Sequence, residues 1–296
     1  MGFLVNCAKR KKNTGISRLC QDLGAIRKFI LVPKGWSLTE EDARDLDKWV
    51  EAIHADTGER IYPFPVIHEH TDNSEDLVMD EGPLGSIFVR DGKINWQFLI
   101  ESSRYKHEAL KTHSLQKYDV VLVDTENRLH GVVAANGDFK GGNLQQFVVG
   151  RLMVNDGAAS ATKSQITMVF GDTNEWETRP AVVAGLEWSA TDLEGLTDIY
   201  LSDAVGTTAG ITVMATDKSG NPFNGEKGDT LTDFVIKDAA GAVQTISTIT
   251  SEGGENILTA TLTAGEYTLD LTAPKDMETK GYGSAGPVTV TVTVGP

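Results

Sequence analysis

The residues of this 296-residue chain best suited to chemistry lie in one short run, Ile67-His68-Glu69-His70-Thr71-Asp72-Asn73. Alternate side chains of an extended segment share a face, so His68, His70 and Asp72 would project together. Two imidazoles and a carboxylate are ligands for zinc, and a zinc ion with an open position activates water for hydrolysis. The surroundings point elsewhere. The run follows Pro63-Phe64-Pro65 and continues through Glu75, Asp76, Asp80 and Glu81, the composition of an exposed acidic loop. Calcium would suit such acids, but the regular D-x-D-x-D-G loop is missing.

The run resembles the H-x-H-x-D-H stretch of metallo-β-lactamase-like hydrolases, with Asn73 standing where the closing histidine belongs. That family draws further histidines from late in its fold, and here none follows His130. The resemblance implies a metallohydrolase using His68, His70, Asp72 and His130. Because the pattern is incomplete, the expectation is no bound metal, no cofactor and no catalytic residue. Other motifs are missing too: there is no G-x-x-x-x-G-K loop, no G-x-S-x-G elbow and no G-x-G-x-x-G after a strand. Gly141-Gly142 lacks the lysine and helix start that phosphate binding needs, and Tyr105-Lys106-His107-Glu108 reads as a polar turn of helix.

Whatever the chain does must therefore be sought in the elements around these residues. Hydrophobic content of 40% and charged content of 23% allow two ordinary cores. A net charge of −15 excludes nonspecific attraction to nucleic acid for the protein as a whole. No apolar run approaches the length of about 18 residues that spans a bilayer. Residues 1–28 read as a basic arm, with Lys9, Arg10, Lys11, Lys12, Arg18, Arg27 and Lys28 against Asp22 alone. Its apolar stretch, Phe3-Leu4-Val5, precedes the charges, so no secretory signal is expected, and Asn6 argues against myristoylation at Gly2. Cys7 and Cys20 match no zinc or redox spacing and read as free thiols of a protein made in a cytoplasm.

Residues 29–206 read as a mixed, mainly β domain. Ser37 to Asp56 predicts a helix: Thr39 and Asp42 form a capping-box start, and Ala43, Leu46, Val50 and Ile53 fall on one stripe beside Trp49. Ser86–Arg90 and Lys93–Ile100 predict a hairpin about the two-residue turn Asp91-Gly92. Tyr118–Val123 with Leu129–Val133, and Phe147–Val154 with Gln165–Phe170, predict two more. Asn136–Asn143 and Asn155–Ser164 read as exposed loops. All five tryptophans and all six histidines precede residue 189, and Arg179 is the last arginine. After Gly206 the chain turns to Thr, Val, Ala, Gly and Asp, so a linker is expected at Ser202–Thr207.

Residues 207–296 read as strand after short strand, with valine and threonine alternating from Val288 to Val294, the period of a half-buried strand. The stretches Ala215-Thr216-Asp217-Lys218-Ser219-Gly220-Asn221-Pro222 and Ala264-Gly265-Glu266-Tyr267-Thr268-Leu269-Asp270-Leu271 resemble bacterial Ig-like domains. The resemblance implies a β-sandwich with Tyr267 as a tyrosine corner, its hydroxyl bonded to nearby backbone. Such domains occur in adhesins and on phage virion proteins, where a host surface or a carbohydrate is the ligand implied.

The whole pattern resembles tailed-phage virion proteins: an acidic chain with a basic arm, a hairpin-rich domain without a site, and an appended Ig-like module. This implies a structural protein of the virion, made in the host cytoplasm, a tail-tube subunit or head-to-tail connector that forms a ring with its own copies. Its partners are then other virion proteins, with no membrane and no sequence-specific nucleic acid, and Lys9, Arg10, Lys11, Lys12 and Arg18 pair with a neighbour's acidic surface. An acidic lumen would let DNA slide. The alternatives are the metallohydrolase above, with the Ig-like part as a spacer, and a surface adhesin.

Overall fold

The computed structural model describes residues 24–83, 85–154 and 161–293. The protein is mainly β, as expected, and the described residues form two compact units, one of residues 24–53 and 58–194 and the other of residues 54–57 and 195–293.

In the first unit the elements are β1 (Ile26–Pro33), β2 (Ser37–Leu38), α1 (Leu46–His54), β3 (Tyr62–Pro63), β4 (Ile67–Asp72), β5 (Val78–Gly82), β6 (Gly85–Arg90), β7 (Asn95–Glu101), α2 (Arg104–Lys111), β8 (Tyr118–Asp124), β9 (Leu129–Val133), β10 (Phe139–Lys140), β11 (Gly142–Met153), β12 (Lys163–Phe170), α3 (Thr173–Thr178) and β13 (Pro180–Val183). The main sheet runs β2-β10-β9-β8-β11-β12-β7-β4 and is antiparallel throughout. β1 lies along one edge of β8, while β9 and the start of β11 share the other, so the sheet forks there. Gly141 and Gly142 sit at the fork. A Cβ on Gly142 would stand 2.7 Å from the Trp176 ring, and one on Gly141 2.9 Å from Val120 N, so these glycines permit close packing. Phe29, Leu31, Phe98, Val120, Phe147 and Ile166 centre the core between the two limbs of the fork. A satellite cluster packs Trp36, Trp49 and Trp188 with their rings tilted to one another.

Two expected hairpins form: Leu122 pairs with His130 across β8–β9, and Phe147 with Met168 across β11–β12. The expected helix at Ser37–Asp56 is shorter and broken. Ser37–Leu38 is a strand, Asp42–Arg44 is a single 3₁₀ turn, and Asp45 is extended before α1 begins. The Thr39 hydroxyl does accept from Asp42 N at 3.2 Å, but it caps that turn. A continuous helix would spend the Ala43 and Arg44 carbonyls on its own backbone; here they accept from the indoles of Trp49 at 3.1 Å and Trp188 at 2.6 Å. The break shifts the apolar phase, so Trp49 and Ile53 are buried while Leu46 is 39% exposed. Asn136–Asn143 is not a free loop either: β10 lies in it, with Phe139 fully buried.

The second unit contains β14 (Thr197–Thr207), β15 (Gly210–Asp217), β16 (Phe234–Asp238), β17 (Val243–Gln244), β18 (Ile246–Glu252), β19 (Glu255–Ala260), β20 (Gly265–Leu271), β21 (Tyr282–Ser284) and β22 (Val288–Thr293). Their order is β17-β16-β20-β22-β14-β15-β19-β18, with β21 beside β14. Alternate residues such as Val213, Phe234, Leu258, Leu269 and Val290 meet in one core. On β22, Val290 and Val292 are buried and Thr289, Thr291 and Thr293 exposed. The Tyr267 hydroxyl accepts from Thr263 N at 3.1 Å. Residues Ser202–Thr207, expected as a linker, are instead the second half of β14, paired to β15. A bulge between Ser202 and Val205, with Asp203 at φ 49, interrupts the alternation and disguises the strand.

Candidate functional site

The acidic run of 72–81 is one side of a long hairpin. β4 and β7 pair from Ile67↔Ile100 to Asp72↔Trp96. The ladder then continues beyond the sheet: Asn73 N donates to Asn95 O at 2.8 Å, and Glu75 N to Lys93 O at 3.0 Å. β5 and β6 complete it, from Val78↔Arg90 to Gly82↔Gly85. The chain from Ile67 to Glu101 is thus one antiparallel arm whose tip lies at Gly82–Gly85. Asp91-Gly92, expected as the turn of a hairpin between residues 86–90 and 93–100, lies partway along the arm. A Cβ on Gly92 would fall 1.8 Å from Glu75 O, so this glycine answers to the close crossing of the two chains.

The two halves of the arm differ. The proximal half is anchored by Ile67, Trp96, Phe98 and Ile100, all buried. Among the described residues no side chain of the distal half is buried: Leu77, Met79, Ile87, Phe88 and Val89 are 52%, 43%, 66%, 54% and 55% exposed. β5 and β6 pair only with each other among the described residues. An isolated two-stranded ribbon is marginal in water, its free edges can template further pairing, and exposed apolar side chains in a cluster mark interaction sites. Residues 76–91 carry Asp76, Asp80, Glu81 and Asp91 against Arg90 alone, and Arg90 pairs with Glu75 at 3.3 Å.

The histidine run sits on the proximal half, where its members serve other ends. His68 occupies a bulge in β4 and is exposed. His70 lies opposite Phe98 and stacks on its ring, with centroids 4.9 Å apart and planes 18° apart, so burial holds its pKa below the ordinary value despite the pull of Asp72. Asp72 accepts from the Ser74 hydroxyl at 2.5 Å and from Ser74 N at 2.9 Å, which keeps its carboxyl below the usual range. Among the described residues no group of three or more His, Cys, Asp or Glu is placed to hold a metal ion. His130, the fourth member of the hydrolase reading, is buried on β9 and bonded through Nε2 to Asp124 at 2.8 Å.

The basic-arm residues Lys9, Arg10, Lys11, Lys12 and Arg18, and Cys7 and Cys20, lie outside the described residues. The end of that stretch is not a solvated arm, however. Residues 26–28 belong to β1, and Lys28 is buried, its ammonium donating to the carbonyls of Thr191 (2.9 Å) and Leu193. Burial draws its pKa down, with Glu194 and Asp192 opposing. No sequence motif announced the apolar ribbon. Its trace was the run Ser86-Ile87-Phe88-Val89-Arg90, apolar at three successive positions where a half-buried strand alternates.

Compared with known proteins, the chain matches no family model and no curated protein sequence.

Proposed function

We propose that this chain is a structural, non-enzymatic subunit that assembles with its own copies, of the tail-tube or head-to-tail connector type found in tailed-phage virions. The observation that carries this is the arm: a hairpin built out from the sheet, whose distal half leaves five large apolar side chains in water. A monomer gains nothing from such a ribbon, whereas a neighbour that covers it turns a liability into an interface. The second unit would be the Ig-like module of the assembly, a role supported by its Val/Thr alternation and by the Tyr267–Thr263 bond. On this reading the protein is made in the host cytoplasm and ends in the virion, its partners are its own copies and other virion proteins, and the Ig-like unit faces a host surface or carbohydrate. Among the described residues no helix is long and apolar enough to cross a membrane.

Negative-stain imaging of the purified protein across a concentration series tests this. Closed rings or tubes of uniform diameter are expected. Uniform single particles of one chain at every concentration would overturn the proposal.

A further inference from the structure

We infer that the arm tip docks head to tail on a second copy of this chain, at the opposite end of the same β4–β7 pair; this rests on the assembly reading above and names its acceptor. At that end the ladder rows bring distant residues together. Met153 on β11 pairs with Lys163 on β12, Lys163 with Glu101 on β7, and Ile100 with Ile67 on β4, just after Val66. Helix α2 starts beside them. Ser102 N donates to Thr162 O at 2.8 Å, and His107 Nδ1 lies 2.8 Å from Ser164 Oγ. The first turn of α2 is therefore fixed against the start of β12.

This end is the apolar counterpart of the tip. Val66, Tyr105, Met153 and Val154 are 44%, 65%, 36% and 72% exposed there. The same elements carry Arg104, Lys106, Arg151 and Lys163 against Glu69, Glu101 and Glu108, and Lys163 approaches Glu69 at 4.0 Å. The tip has the reverse balance, four acids and one arginine. Two surfaces that are both apolar and opposite in charge are complementary. Tip-to-tip pairing would instead set acid against acid, so a self-complementary contact is disfavoured. Because the two surfaces lie at opposite ends of one strand pair, each copy can give its tip to one neighbour and take the tip of another. Such a heterologous contact repeats until a ring closes or a filament grows.

Two variants test this, each changed only at exposed side chains: Ile87→Asp with Phe88→Asp for the tip, and Tyr105→Asp with Val154→Asp for the acceptor. Circular dichroism checks that both fold, and sedimentation velocity gives their size, alone and mixed. Each variant alone should be monomeric. Their equimolar mixture should form a one-to-one dimer, since one keeps an intact tip and the other an intact acceptor. Raising the salt should weaken that dimer. An acceptor variant that assembles like the unaltered protein, or a mixture that stays monomeric, would overturn the head-to-tail contact while leaving assembly through the tip standing. Failure of the unaltered protein to associate at all would instead remove the assembly reading itself.

Discussion

Replacing Asp124 by alanine should destabilise the first unit by about 3–5 kcal/mol, the cost of breaking a buried ion pair from one side. The carboxylate is buried at the β8–β9 turn and holds four donors. Oδ1 accepts from Glu126 N at 2.9 Å and Arg128 N at 3.0 Å; Oδ2 accepts from Arg128 Nε at 2.6 Å and faces His130 Nε2 at 2.8 Å. Alanine removes the acceptor that all four share. Arg128 keeps Glu126, at 3.2 Å, but that partner is largely exposed and a poor substitute. The turn also carries Asn127, at φ 58, whose side chain holds the 184–194 segment through Trp188 O at 2.6 Å and Ala190 N at 2.7 Å, so the damage should spread. All tryptophans lie before residue 189, so their fluorescence reports this unit alone. With a urea slope of about 2 kcal/mol/M, the midpoint should drop by roughly 1.5–2.5 M. Asp124→Asn keeps an acceptor for the two backbone N–H groups but turns a donor toward Arg128, and should fall between. A midpoint for Asp124→Ala within about 0.3 M of the unaltered protein would refute the reasoning, since the network would then contribute nothing net.

The first unit should also lose stability in mild acid. Burial lowers the pKa of His113, and for His130 it outweighs the opposing pull of Asp124. Both rings therefore stay neutral in the fold while the unfolded chain takes up protons near pH 6.5, so the tryptophan-detected urea midpoint should fall as pH drops from about 7.5 to 5.5; a flat or rising midpoint contradicts this. Burial alone would raise the Asp124 carboxyl, but its bonds to His130 and Arg128 hold it below the usual range, and its contribution persists until far lower pH. His70→Ala should cost about 0.5–1.5 kcal/mol through the lost stack on Phe98 and leave metal content, measured by elemental analysis, unchanged; loss of a stoichiometric metal would revive the hydrolase. In the second unit, Asn256 is fully buried and bonds Gly225 N, Phe223 O, Gly254 O and the Ser251 hydroxyl. Asn256→Leu should lower stability by at least about 2 kcal/mol and move only the calorimetric transition that tryptophan fluorescence does not follow.

What could be read from sequence was whatever local pattern decides. The β8–β9 and β11–β12 hairpins were legible because each joins neighbouring segments rich in apolar and β-branched residues, and β22 because its Val/Thr period is unbroken. The misread elements share a different cause, in that a distant partner overrides the local signal. Trp188 and Trp49 take the carbonyls that would have extended a helix through Asp45. Asp91-Gly92 has the chemistry of a tight turn but is pinned against Glu75 by pairing that begins at Ile67. The bulge at Asp203 hides half of β14, because the alternation changes face across it. The candidate site was half legible. Its acids showed as an exposed run, but the ribbon they belong to depends on contacts spanning residues 67–101, which no local window contains.

The central claim is that the distal half of the arm drives self-association. The most direct measurement is the weight-average mass by light scattering, over a concentration series, of the full chain and of a variant in which residues 76–91 are replaced by an Asn-Gly turn joining Glu75 to Gly92. The proximal half keeps its buried anchors, so tryptophan fluorescence should show the first unit still folded. The full chain should grow with concentration toward a closed oligomer, and the shortened chain should stay at the monomer mass of 32.0 kDa less the excised residues. Equal masses for the two proteins at every concentration would contradict the account.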